Sequence, residues 1–119
     1  SVDILLIYNI VIVMKAKLSS SDRLSVMCEQ VSQTLKALAH PDRLKLLCLL
    51  SEEELTVSQI VKACGRSQSQ ISQFLSRMKL EGLVDSSRGG QLVHYRIADP
   101  SVRKLIKNLK IIYNSLEGK

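Results

Sequence analysis

The chain has 119 residues, 45% of them apolar, with 17 Lys+Arg against 11 Asp+Glu for a formal net charge of +6. That length suits one core-bearing domain; two Pro and five Gly exclude a collagen-like or low-complexity chain, and the apolar fraction excludes bulk disorder. Three Tyr, one Phe and no Trp offer no stacking platform for single-stranded nucleic acid, and three Cys without close pairing argue for a reducing, cytoplasmic setting over a secreted disulfide scaffold.

The charge is uneven. Residues 1–61 hold 6 basic and 7 acidic groups, whereas residues 62–119 hold 11 and 4. The excess lies wholly in the second half, and a polyanionic partner is the first expectation there.

In chain order, Ile4 to Met14 is an apolar run broken only by Asn9. A membrane helix needs about twenty such residues, so no membrane partner is expected. The chain begins Ser1-Val2-Asp3 and lacks the basic region and small-residue cleavage site of a signal peptide. Two roles remain open for the run: an extension upstream of a natural start at Met14, or a strand or helix that packs on a partner subunit. Residues 1–20 are therefore set apart as an N-terminal extension, and residues 21–119 as the folded domain.

Asp22 is a candidate cap for a first domain helix, with Leu24, Met27, Cys28, Val31, Leu35 and Leu38 on one face. His40-Pro41-Asp42 ends it, because proline cannot continue a helix but suits the first turn of the next. That second helix buries Leu44, Leu46, Leu47, Leu49 and Leu50 and stops at the Glu52-Glu53-Glu54 loop. Thr56-Val57-Ser58 opens a short third helix that closes near Gly65.

Ser67 then caps a fourth helix running to about Glu81, with Ile71, Phe74, Leu75 and Met78 as a single apolar stripe. The opposite face is Gln68, Ser69, Ser72, Gln73, Ser76 and Arg77. Solvated helix faces are usually rich in Lys and Glu, which are better helix formers. Small hydroxyl and amide side chains suit a helix entering a groove: Gln makes bidentate contacts to adenine, and Ser addresses several base edges. A short helix, a tight turn and such a helix make a helix-turn-helix.

Leu83 to Arg88 and Gln91 to Ile97 read as two strands joined by a Gly89-Gly90 turn, a wing that carries Arg88 near its tip. Asp99-Pro100 starts a last helix, with Val102, Leu105, Ile106, Leu109, Ile112, Tyr113 and Leu116 apolar and Arg103, Lys104, Lys107 and Lys110 opposite. The fold class is thus mainly α with a β-hairpin wing: about five helices and a two-stranded wing.

With LKALAHPDRLKLL (35–47), LTVSQIVKACGRSQSQISQFLSRMKLEGLV (55–84) and HYRI (94–97) in this order, the chain resembles the ArsR/SmtB family of winged helix-turn-helix repressors over about residues 24–114. The resemblance implies a homodimer through the first and last helices, bound to double-stranded DNA at a palindromic operator. It places base contacts on Gln68, Ser69, Ser72 and Gln73. Lys62, Arg66, Arg77, Lys79, Arg88 and Arg96 are the candidate phosphate or minor-groove contacts, and Arg96 has the alternative of bracing the wing. His40 and Arg43 match signature positions, with a structural role at the helix junction. Phe74 stands where the family often has His, so operator preference does not carry over.

No metal or cofactor is expected. Thr56-Val57-Ser58 occupies the place of the family's thiolate cluster, and residues 101–116 hold neither His nor carboxylate. LKLLCLLSEEELTV (44–57) resembles a thiol-sensing branch of the family and places Cys48 on its sensor cysteine, but Asn114 stands where the branch has the partner cysteine. Cys48, Cys28 and Cys64 are the candidate redox residues, each with the plainer role of a small buried hydrophobe; Cys64, beside Gly65 and Arg66, is expected to be the most exposed. The function expected is a DNA-binding transcriptional repressor, released by thiol oxidation or reactive sulfur species. The alternative is a winged-helix protein-interaction module without DNA readout. Neither a nucleophile-base arrangement nor a phosphate-cradling loop is present to suggest an enzyme.

Overall fold

The computed structural model describes residues 4–17 and 19–117, with side chains for 4–14 and 19–114. Ser1, Val2 and Asp3 of the N-terminal extension and the Leu116 side chain of the last apolar face lie outside the described residues. Two compact units are formed, Ser1–Ala39 and His40–Lys119.

The first unit contains α1 (Ile4–Lys17) and α2 (Ser20–Leu38). The β-branched run at the N-terminus is therefore helical, and with it the described residues form six helices where about five were expected. In α1 the apolar side chains from Ile4 to Met14 are all exposed. The cap of α2 is Ser19, one turn ahead of the predicted Asp22: its Oγ accepts from the Asp22 backbone N–H at 3.2 Å and donates to Asp22 Oδ2 at 2.7 Å. Asp22 instead places its charge in the first turn, where the helix dipole favours it. Leu24, Met27, Val31 and Leu35 form the predicted stripe but stay exposed, and Leu38 alone among the described residues of this unit is buried.

The second unit is built from α3 (Pro41–Leu50), β1 (Leu55–Thr56), α4 (Val57–Cys64), α5 (Gln68–Leu80), β2 (Val84–Gly89), β3 (Leu92–Ile97) and α6 (Pro100–Glu117). Its core gathers Leu46, Leu47 and Leu50 of α3, Ile60 of α4, Ile71, Leu75 and Met78 of α5, and Val102 and Ile106 of α6. Val84 and Ile97 close it from the sheet side. Burying each such side chain contributes about 1.5–3 kcal/mol. Leu44 and Leu49 are only half-buried.

The wing has a third strand that the hairpin reading lacked. Leu55 pairs with Tyr95 and Thr56 with His94, giving an antiparallel sheet of order β1-β3-β2. The turn also falls one residue later than predicted. Gly89 pairs with Leu92, so Gly90 and Gln91 form the two-residue loop, and only Gly90 has a positive φ, 65°. A positive φ at the first loop position alone is the type II′ pattern of a tight hairpin, which needs glycine there.

Candidate nucleic-acid interface

The helix-turn-helix is fixed at both boundaries by reciprocal side-chain caps. Thr56 Oγ1 accepts from the Gln59 N–H at 3.2 Å, while Gln59 Oε1 accepts from the Thr56 N–H at 2.9 Å. Ser67 and Gln70 repeat the device at the start of α5, at 3.2 and 3.3 Å. Each capping box satisfies two backbone donors that the helix itself leaves open. Between them, α4 ends on Gly65 at φ 69°, in the left-handed region, and its N–H donates to the Val61 carbonyl at 3.0 Å. Lys45 Nζ donates to the Cys64 carbonyl at 3.3 Å, placing a cation at the negative end of α4.

Two contacts from the start of α3 hold α5. The His40 ring meets Phe74 edge-on at 5.4 Å between centroids, and Arg43 forms an ion pair with Glu81 at the C-cap of α5. These are the structural roles expected of His40 and Arg43. The Arg43–Glu81 pair also engages the carboxylate next to α5, and α5 itself carries none.

With Ile71, Leu75 and Met78 buried, the opposite side of α5 faces outward. Ser69, Ser72, Gln73, Ser76 and Arg77 line one shallow depression together with Leu80. Gln68 is exposed at the first position of the helix. The structure thus brings three of the four predicted base-reading residues onto one surface with Arg77, and the fourth lies at its N-terminal end. Leu80, 86% exposed, was missed. Its signal was present in the spacing, since it falls off the 71-74-75-78 stripe.

The candidate backbone contacts divide by their partners. Lys62, Arg77 and Arg88 are exposed and form no ion pair among the described residues. Arg66 pairs with Asp42 at 2.9 Å, which ties the turn to α3. Lys79 Nζ donates to Ser86 Oγ at 2.6 Å, joining the end of α5 to β2. Arg96 does not join the α5 surface: it is half-buried and reaches Asp85 at 3.3 Å and Glu54 at 3.8 Å, bracing the wing.

The cysteines are three free thiols on three helices. Cys28, expected to be covered within the first domain helix, is the exposed one, and Cys64, expected to be the most exposed, is half-buried. The reason is that the α2 stripe has no cover within its unit, whereas Cys64 sits where α3, α4 and α5 converge, with Asp42, Leu46 and Phe74 around it. Burial pushes the Cys64 thiol above its usual range, offset in part by Lys45. Burial likewise pushes the Cys48 thiol up, against a smaller lowering by Lys110. Lys110 Nζ donates to the Cys48 carbonyl at 3.3 Å and pairs with Glu52 at 2.6 Å, and that pairing holds the Glu52 carboxyl below its ordinary value. Among the described residues no three His, Cys, Asp or Glu side chains converge to hold a metal, and no helix is long and apolar enough to cross a membrane.

Residues 40–86 match the family model described as bacterial regulatory protein, arsR family. Over 92 residues the chain is 40% identical to the HTH-type transcriptional regulator YgaV of Escherichia coli K12, covering 76% of this chain and 93% of that protein. The crystal structure of the transcriptional repressor BigR from Xylella fastidiosa superposes with a TM-score of 0.74 at 28% identity, over 82% of this chain and 97% of that one. A homodimeric winged helix-turn-helix DNA-binding domain, Mb0332 of Mycobacterium bovis, superposes with a TM-score of 0.65 at 33% identity, over 87% and 95%.

Proposed function

The chain belongs to the ArsR family of bacterial regulatory proteins, and on that premise we propose that it is a dimeric transcriptional repressor that reads a palindromic operator in double-stranded DNA. The observation that carries this reading is the outward face of α5, held in place at both ends, free of carboxylates and lined by serine and glutamine. Gln68, Ser69, Ser72 and Gln73 read bases in the major groove. Lys62, Arg77 and Arg88 contact the sugar-phosphate backbone, with Arg66 and Lys79 beside them. A dimer is supported by the homodimeric Mb0332 domain and by the exposed apolar stripes of α2 and of α6, where Ile112 and Tyr113 are uncovered.

A gel shift on the protein's own upstream region, repeated over a salt series, tests the reading. Specific binding with a steep negative salt slope is expected; equal affinity for random DNA, or no binding, would favour a protein-interaction module instead. Within that assay Gln73→Ala should cost about 1–3 kcal/mol and relax preference at one base position. Lys79→Ala should weaken specific and random DNA alike and flatten the salt slope. Identical behaviour of the two variants would overturn the assignment of roles.

Release by oxidation or reactive sulfur completes the proposal, with Cys48 as the responding thiol. It sits at the junction of α3 with Lys110 of α6, so a modified sulfur there disturbs the attachment of α6. Asn114 offers no thiol for an intrachain bridge. Because its pKa is raised, Cys48 is a neutral thiol at pH 7, and its alkylation by iodoacetamide should be slow there. The rate should climb with pH and level off only above the ordinary thiol value of about 8.5. A plateau below that value would contradict the burial effect, and unchanged operator binding after persulfide treatment would remove sensing from the proposal.

A further inference from the structure

A cleft of about 610 Å3 opens between the end of β3 and the polar face of α6, within the size range of small-molecule sites. Arg96, Arg103, Lys104 and Lys107 line it, and no carboxylate does. Positions 103, 104, 107 and 108 share one helix face, so the cationic groups converge by helical spacing alone. The other walls are apolar: Ile97, Ala98, Pro100 and Ile111.

The charges here are unevenly satisfied. Arg96 already holds Asp85 and Glu54, and Lys107 feels Glu52, which is itself paired to Lys110. Arg103 and Lys104 form no ion pair among the described residues. Arg103 Nε is a buried donor with no acceptor. A buried donor on a cation is costly to leave without an acceptor, and an anion seated against the guanidinium offsets that cost.

We propose that this cleft binds a small organic anion, a carboxylate or phosphate on an apolar body, with Arg103 and Lys107 taking the charged group and Ile97 and Ile111 the body. A purely inorganic anion would leave the apolar walls unused, and a neutral ligand would leave the cations unpaired. The site stands apart from the outward face of α5, so it does not rest on the DNA reading, and its test contains no DNA.

The full-length protein is titrated with 1-naphthoate, and separately with inorganic phosphate at matched ionic strength, while backbone amide shifts are followed by NMR. Naphthoate should move amides between residues 96 and 111 saturably, and phosphate should reach the same amides only at higher concentration. Arg103→Gln should weaken naphthoate about tenfold or more, the loss expected for a hydrogen bond to a charged group. Lys107→Gln should weaken it less, and guards against a folding defect in the first variant. Equal affinity for phosphate and naphthoate would overturn the organic ligand. Shifts spread over the whole chain, or unaffected by both substitutions, would overturn the site. Absence of shifts together with a changed sedimentation coefficient in Arg103→Gln would assign the cleft to a second copy of the chain and overturn the proposal likewise.

Discussion

A chain carrying Val31→Glu and Leu35→Glu is expected to sediment as a monomer and to lose about a thousandfold in specific operator affinity, the lower end of the margin between specific and non-specific DNA binding. The argument begins with burial. α2 runs for 19 residues with Leu24, Met27, Val31 and Leu35 on one stripe, all of them exposed. An amphipathic helix is held mainly by the burial of its apolar face, and that stripe has no cover within its own unit. In the proposed two-fold dimer a second copy of the same stripe supplies it, and like charges at its centre are left unpaired and desolvated. One monomer then presents a single α5 to a two-part operator. Cys28 gives an independent readout because it lies in the stripe: iodoacetamide should reach it slowly in the parent protein and quickly in the variant. A variant that stays dimeric, or a monomer that keeps its affinity, would rule out α2 as the interface.

The second large effect is on stability. Leu75→Ala should lower the unfolding free energy by about 2–5 kcal/mol, the cost of lost transfer energy plus the cavity left behind. Leu75 is fully buried in the middle of α5, flanked by Ile71 and Met78 on the same stripe. Urea denaturation followed by circular dichroism measures the effect; a loss below about 1 kcal/mol would mean that the α5 stripe is not packed as described. At a temperature where the variant remains folded, DNA binding should fall as well, because the cavity loosens the seat of the helix that carries Gln68 to Arg77. Ser76→Ala, on the outward side, should leave stability within about 0.5 kcal/mol and so serves as the control.

Legibility in the sequence followed the range of the interactions. The boundaries of α4 and α5 were readable because capping is local: Thr56, Gly65 and Ser67 act within three or four residues of themselves. The outward face of α5 was readable for the same reason, as one period of one helix. β1 was not, since two residues carry no pattern and their pairing with His94 and Tyr95 is made some forty positions away. The wing turn was misplaced by one because two adjacent glycines suit it equally, and the choice is made by a register running back to Val84 and Ile97. Arg43 and Glu81 are likewise too distant in the chain for local patterning to join them. The exposure of the α2 stripe was hidden for a different reason. Periodicity tells which residues share a face, but not whether the cover comes from the same chain.

The two capping boxes also limit how this protein can change. Gly65, Arg66 and Ser67 are the whole connection between two helices whose ends are each closed on themselves, so the turn has no slack to absorb an added residue. Inserting one would rotate α5 by about 100°, the angle of one helical step, and drive its Ser/Gln face toward the interior while Ile71, Leu75 and Met78 turned to water. On the proposed reading, a new operator is reached by exchanging outward side chains one at a time, whereas a single in-frame insertion in the turn displaces the whole reading face at once.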